Sequence, residues 1–408
     1  MVSLLYILLN NMEDFWKFVE KHRNDDPARL RLKYHGSNEC WIEDAITHIE
    51  CMRKCGNKFG EAQPELMLST LSVEQATSER VAQLHGEIAC RLIGNPHNIL
   101  DMTCGLGIDL HALSGTFQCH STGLEINPKL ANAATYNFRN NPLVDIVNAD
   151  SVKWLESLSD DTKFDLIFID PARRGDVGQR LFNIHHCQPD VAEMLPLLAD
   201  KCRYAMVKLS PMLDVTQTLR DLPPITELHI VDDNGECREL LAVLDFTSES
   251  RETEPLITVH SEDRTLSFTP AEERQQHEQY GNALAGMWLF EPSPACMKAR
   301  PFATLCQCHG LRKLHPNTNL FVNDTTVYDL PGKWYEIKEV ADFASSVIKT
   351  IGKRIPKADI AARNFPFKAE ELQRRLKIKS GGQHRIIGAT IGEPRIPERH
   401  VLLVLRKM

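Results

Sequence analysis

The sequence contains no run of 18 or more apolar residues, the length a helix needs to cross a bilayer. It also has no CxxC pair among its 12 cysteines, no internal repeat and no low-complexity tract. The first absence removes helical membrane spans, the second removes the usual zinc-ribbon spacing, and the third removes solenoid architectures. The opening MVSLLYILLNN lacks the basic flank and small-residue cleavage site of a signal peptide, so export is not expected. Translation is expected to begin at Met12, where MEDFWKFVEKHR opens an amphipathic helix.

Hydrophobic residues at 42% and charged residues at 25% describe an ordinary soluble globular chain, and 408 residues suggest two or three domains. The cysteines are scattered from Cys40 to Cys308, several within apolar runs where Cys acts as a small hydrophobe, so reduced thiols in the cytoplasm are expected. Cys51, Cys55, Cys306 and Cys308 do not have ligand spacing, and no metal is expected. Charge is distributed unevenly. Residues 331–408 hold 17 Lys and Arg against 8 Asp and Glu, a net of +9, while the whole chain carries -8 and the first 330 residues therefore -17. A basic module on an acidic body points to a polyanionic partner such as nucleic acid, with a solvated lysine-rich surface as the plain alternative.

Up to about residue 90 the spacing is helical: MEDFWKFVEKHR, IEDAITHIECMRKC and SVEQATSERVAQLHGEIACRLI. From 91 to 250 short apolar runs alternate with helical segments, which predicts a parallel α/β sheet. Seven strands are expected at 98–103, 119–126, 144–150, 164–170, 204–210, 225–232 and 238–246. The last two are joined only by a turn containing DDNGE, too short for a parallel crossover, so they form an antiparallel hairpin. A small module is expected over 270–325, and a basic α+β module over 330–408 after the turn pair Pro331-Gly332.

Chemistry concentrates at the strand ends. The first strand runs into DMTCGLG, where Gly105 and Gly107 allow close backbone approach to a ligand and a following helix offers N–H groups. Asp101 precedes these glycines, Glu125 ends the second strand 24 residues later, and Asp150 ends the third. A carboxylate in the position of Glu125 can accept hydrogen bonds from ribose hydroxyls. The third glycine of GxGxxG is replaced by Leu110, and a pyrophosphate beside Asp101 is less welcome than a cofactor carrying an ammonium and a sulfonium. The fourth strand ends in Asp170-Pro171-Ala172-Arg173-Arg174, and the fifth brings Lys208 to the same edge of the sheet. Lys208 suits a phosphate or a snorkelling surface role. Ahead of the sheet, Ser72, Thr77 and Ser78 with Glu74 and Gln75 read either as a helix cap or as a polar loop covering the ligand.

These motifs and the terminal hairpin resemble the class I S-adenosylmethionine-dependent methyltransferases. The resemblance implies a Rossmann-like seven-stranded sheet, parallel with a terminal antiparallel hairpin, and S-adenosylmethionine as cofactor. It implies that Asp101, Thr103, Cys104, Gly105 and Gly107 contact the amino-acid part of the cofactor, Glu125 the ribose and Asp150 the adenine amine. In family members acting on nitrogens, the fourth strand ends in Asp/Asn-Pro-Pro-aromatic, which receives the target amine. Here Asp170 and Pro171 match, while Ala172 and Arg173 depart from the pattern and remove the stacking ring. Arg173 can stack on a base, fork onto a phosphate, or pair with Asp170 or Asp176.

Taken together, FIDPARRG, VKLSPMLD, EPSPACMKA, GLRKLHPNTNLF and ARNFPFKAEELQRRLKIKSGGQHR look like a bacterial methyltransferase family that appends a ferredoxin-like module and a THUMP-like domain. The resemblance implies transfer to a base nitrogen of tRNA or rRNA, with Asp170 and the Pro171-Ala172 backbone placing the target. Arg173, Arg174 and Lys208 would surround it, and Arg374, Arg375 and Lys379 would hold the RNA. A small-molecule or protein substrate, or cofactor and RNA binding without turnover, are the alternatives.

Overall fold

The computed structural model describes residues 12–39, 41–55, 66–68, 77–173, 184–247 and 254–407. The chain divides into two compact units: Met1–Leu209 with Arg220–Pro224 and Ala242–Arg251, and Ser210–Leu219 with Ile225–Leu241 and Glu252–Met408. Among the described residues, no helix is long and apolar enough to cross a membrane.

The first unit begins with helices α1 (Met12–His22), α2 (Pro27–Lys33), α3 (Trp41–Cys55) and α4 (Glu79–Ile93). In α1 the buried positions Phe15, Phe18, Val19 and His22 recur at the spacing of one helical face. Phe15, Phe18 and Val19 pack with Ile42, Ala45, Ile46 and Ile49 of α3 into a core that also takes in Leu106 and Ala133. The short helix α2 was not expected from periodicity. It is set by local chemistry: Asp26 accepts the Arg29 N–H and Pro27 occupies the first turn.

The sheet of this unit comprises β1 (Asn98–Asp101), β2 (His120–Glu125), β3 (Val144–Asn148), β4 (Phe164–Ile169) and, after two-residue strands β5 (Ala172–Arg173) and β6 (Cys187–Gln188), β7 (Cys202–Leu209). Helices α5 (Ile108–Phe117), α6 (Pro128–Asn137), α7 (Ser151–Glu156) and α8 (Leu195–Lys201) alternate with the strands. All pairs in the order β3-β2-β1-β4-β7 are parallel. Their carboxyl ends therefore lie on one edge, which gathers Asp101, Glu125 and Asp170. The hairpin expected from DDNGE is present, joining β8 (Ile225–Asp233) to β9 (Glu236–Asp245). Its turn residues Asn234 and Gly235 both have positive φ, 54° and 78°, as a tight two-residue hairpin turn requires. Residues 242–245 of β9 belong to the first unit, beside β7, and 236–241 to the second.

In the second unit, after α9 (Val215–Asp221), the order β9-β8-β10-β11 adds two strands beyond those read from the sequence, β10 (Leu256–Ser261) and β11 (Arg264–Phe268). A further seven-stranded sheet follows α10 (Pro270–Gln275). It is built from β12 (Trp288–Pro292), helices α11 (Pro294–Ala299) and α12 (Phe302–His309), then β13 (Arg312–His315), β14 (Thr318–Asn323), β15 (Gly332–Asp342), α13 (Ser345–Arg354), β16 (Asp359–Arg363), α14 (Ala369–Leu376), β17 (His384–Ile391) and β18 (Arg399–Lys407). Its order is β13-β14-β12-β15-β18-β17-β16. Gly332, after Pro331, is the first residue of β15 and pairs with Pro292. The glycine permits close approach, since a Cβ there would meet the Glu291 carbonyl at 2.5 Å. Val401, Leu403 and Leu405 of the apolar C-terminal strand face one core, and Leu402 and Val404 face another with Ile351, Leu372 and Leu376 of α13 and α14. Burial on both faces explains the unbroken apolar run.

Candidate functional site

The turn after β1 is held tightly from beneath. Gly107 has φ 85°, and a Cβ there would lie 2.3 Å from the Phe138 ring. Only glycine fits both the backbone and the packing. Gly105, at φ 56°, differs: a Cβ there would enter open space. Asn137 braces the same turn, donating to the Leu106 carbonyl at 3.0 Å and accepting the Met67 N–H at 2.7 Å.

Around this turn the structure brings together most of the sequence-derived acids. Asp101 is buried, and its carboxylate accepts the Thr103 N–H at 2.9 Å. Burial pushes its carboxyl well above the usual range, and Asp109, Asp170 and Glu125 push the same way by like charge, against the Thr103 hydrogen bond. Glu125 accepts the Gly105 N–H at 3.0 Å and the Asn127 N–H at 2.7 Å, tying the end of β2 to the glycine turn. Cys104 is buried and its N–H bonds to the Leu124 carbonyl, so its thiol packs beneath the turn. Asp150 caps α7 by accepting the Val152 and Lys153 N–H groups, with its carboxylate partly exposed.

Asp170 stands at the tip of β4. Its N–H donates to the Thr103 hydroxyl at 2.6 Å, and Lys208 at the end of β7 places Nζ 2.5 Å from its Oδ2. Lys208 therefore neither snorkels nor stands apart from the acid; it is largely buried on Asp170. Pro171 is buried, and the exposed Ala172 pairs with Gln188 while Arg173 pairs through its backbone with Cys187. The side chain of Arg173, the whole of Arg174 and Asp176, and the loop residues Ser72, Glu74 and Gln75 lie outside the described residues.

Asp109 and His85 escaped sequence reading. Lys208 Nζ also donates to the Thr77 hydroxyl at 3.0 Å, Thr77 donates to Asp109 Oδ2 at 2.7 Å, and the fully buried His85 ring meets Asp109 Oδ1 at 2.8 Å. Burial raises the Asp109 carboxyl, but the His85 hydrogen bond and charge, the Lys208 charge and the Thr77 hydroxyl outweigh it and hold it at about 2. Helical spacing marks His85 only as a core position, so its partner is invisible in the sequence.

The carboxyl groups of Asp101, Glu125 and Asp170 gather at the strand ends beside open space at Gly105, where they can bond the polar groups of a ligand. The residues thus fit a cofactor bearing an ammonium and a sulfonium.

In the second unit, an open groove of about 750 Å³ runs beside the edge strand β16 and the start of α14, lined by Arg363, Phe365, Phe367, Lys368 and Arg385. Arg363 and Arg385 both bond Glu291, at 2.8 and 2.9 Å, and the Arg385 Nε is buried with no hydrogen-bond partner. Arg375 bonds Glu371 and lies 4.0 Å over the Phe367 ring, whereas Arg374 and Lys379 are exposed. Among the described residues, no group of three or more His, Cys, Asp or Glu is placed to hold a metal ion.

Comparison with known proteins agrees with this geometry. Residues 332–407 match a family described as THUMP domain-like, and 288–331 one described as a ferredoxin-like domain. A crystal structure from Porphyromonas gingivalis W83 that carries a methyltransferase assignment is similar over 100% of this chain and 99% of its own, at 29% identity and a TM-score of 0.85. Slighter likenesses join the chain to a class I S-adenosylmethionine-dependent methyltransferase assignment from Listeria monocytogenes (13% identity, 60% of this chain and 93% of that one, TM-score 0.35). Another is to a type I restriction-modification methyltransferase subunit from Streptococcus thermophilus (15%, 59% and 57%, TM-score 0.36). No curated protein matches. The chain therefore has the α/β fold of the Porphyromonas gingivalis structure assigned as a methyltransferase, with a ferredoxin-like segment and a THUMP-like module in its C-terminal part.

Proposed function

We propose that the protein is a cytoplasmic S-adenosylmethionine-dependent methyltransferase acting on a base nitrogen of tRNA or rRNA. The observation that carries this reading is Asp170 at the tip of β4, held by Thr103 and Lys208 beside the acidic turn. When bound, S-adenosylmethionine supplies an electrophilic methyl group, and transfer exchanges its carbon–sulfur bond for a carbon–nitrogen bond. Asp101, Thr103, Cys104, Gly105 and Gly107 would hold its amino-acid end, Glu125 its ribose, and Asp150 its adenine.

Asp170 would accept a hydrogen bond from the target amine, and the Pro171-Ala172 backbone would accept a second. With Lys208 Nζ 2.5 Å from its Oδ2, Asp170 would serve to align the amine. Arg173 and Arg174 follow directly in the chain and would meet the base or flanking phosphates. The +9 charge of residues 331–408, the exposed Arg374 and Lys379, and the aromatic and arginine groove beside β16 support RNA docking on the THUMP-like module.

Asp170→Ala should abolish methyl transfer while calorimetry shows S-adenosylmethionine affinity within about threefold of the parent, since the lost group aligns the nucleophile. Unchanged transfer would overturn the role of Asp170. Failure of the parent to bind S-adenosylmethionine at all would overturn the cofactor.

A further inference from the structure

His85, Asp109, Thr77, Lys208 and Asp170 form a continuous chain of polar contacts through five segments of the first unit: α4, the residue pair before it, the start of α5, the end of β4 and the end of β7. The order of donors fixes its direction. A threonine hydroxyl has a single proton, and that proton is committed to Asp109 Oδ2. The Thr77 oxygen is thereby turned to accept from Lys208 Nζ. Thr77 is itself buried, at 6% exposure, so few other orientations are open to it.

Lysine carries a long chain with several rotamers, and a lone ion pair to the partly exposed Asp170 would hold it only weakly. An oriented hydroxyl behind the ammonium selects one rotamer. His85 completes the device by holding Asp109 from the protein interior, so the carboxylate that orients Thr77 cannot turn away.

We propose that Thr77 and Asp109 are positioning residues for the transfer step: they fix the Lys208 ammonium on Asp170, so that Asp170 meets the substrate as an oriented acceptor. The inference rests on the reading that Asp170 receives the nucleophile. Lys208 Nζ lies 2.5 Å from Asp170 Oδ2, so the position of the ammonium sets how that carboxylate is presented to the substrate. Loss of the anchor leaves that charge intact and only misplaces it.

The test compares Thr77→Val, which keeps the shape and removes the hydroxyl, with Thr77→Ser, which restores it. Two readouts are taken: the rate of reductive methylation of Lys208, followed by mass spectrometry without any substrate, and methyl transfer with cofactor affinity. In Thr77→Val, Lys208 should react several-fold faster, and the transfer rate should fall about tenfold at unchanged cofactor affinity, a misalignment effect. Thr77→Ser should return both to near the parent values. Asp109→Asn, which leaves the hydroxyl but weakens its orientation, should move both in the direction of Thr77→Val. Unchanged Lys208 reactivity in Thr77→Val overturns the anchor, and increased reactivity with unchanged transfer overturns its positioning role. Full activity of Asp170→Ala, in contrast, overturns the underlying reading of Asp170 and leaves the Lys208 reactivity result standing.

Discussion

Asp109 shows how much a single carboxylate contributes when its neighbours are arranged for it. Its carboxyl lies at about 2 in the folded chain against an ordinary 3.8. A depressed folded value stabilises the fold fully above the unfolded value and loses that contribution as pH falls through the folded one. The shift corresponds to roughly 2 kcal/mol near neutrality. Asp109→Asn should therefore lower unfolding stability by about that amount at pH 7, and the gap to the parent should close as pH falls from 4 toward 2. Denaturant titrations across this range provide the check; a gap independent of pH would contradict it. At this scale the sequence revealed Asp101, Glu125 and Asp170, because acids that end consecutive strands stand out against apolar runs. Thr77 was marked only as part of a polar loop or helix cap, and Asp109 and His85 did not stand out. The latter two have ordinary local readings, as a first-turn acid and a core histidine, and only the tertiary contact joins them to Thr77.

Among the elements, the β1-to-α5 turn governs the site, and its two glycines serve different ends. Gly107→Ala would combine a strained φ of 85° with a Phe138 ring at 2.3 Å, and should destabilise the protein by about 2 kcal/mol or more with loss of cofactor binding. Gly105→Ala meets only open space, so it should cost about 1 kcal/mol of stability, the strain of its positive φ, while still weakening cofactor binding by filling the space beside Glu125. Thermal unfolding and calorimetry on the two variants separate these effects, and equal destabilisation would contradict the distinction. Seven strands were legible because short apolar runs and turn residues frame them, and DDNGE marked the hairpin. Strands β10 and β11 were passed over for a physical reason. They follow a polar run, and their hairpin turns at Glu262 with φ 52°, where no glycine or asparagine signals it. In the C-terminal part, Pro331-Gly332 falls where the ferredoxin-like match ends and the THUMP-like match begins, and Gly332 also allows close strand packing there.

For the whole molecule, the division of charge is the feature that composition shows most plainly, with -17 over residues 1–330 and +9 beyond. The structure qualifies it: several of the basic residues are spent locally, with Arg363 and Arg385 on Glu291, Arg375 on Glu371, Arg399 on Asp342 and Lys407 on Asp359. Exposed Arg374 and Lys379 are better placed to meet phosphates. Replacing both by Glu should weaken tRNA binding in a filter assay and flatten its salt dependence by about one to two units of log–log slope, at unchanged cofactor affinity. An unchanged slope would place the RNA elsewhere. The central claim is methyl transfer to RNA, and one measurement addresses it most directly: purified protein, labelled S-adenosylmethionine and RNA from a strain lacking the protein, followed by nucleoside mass spectrometry. The account predicts label on a single base nitrogen, and none when Asp170→Ala replaces the parent. Absence of label from every nucleoside, with S-adenosylmethionine bound and RNA intact, would contradict it.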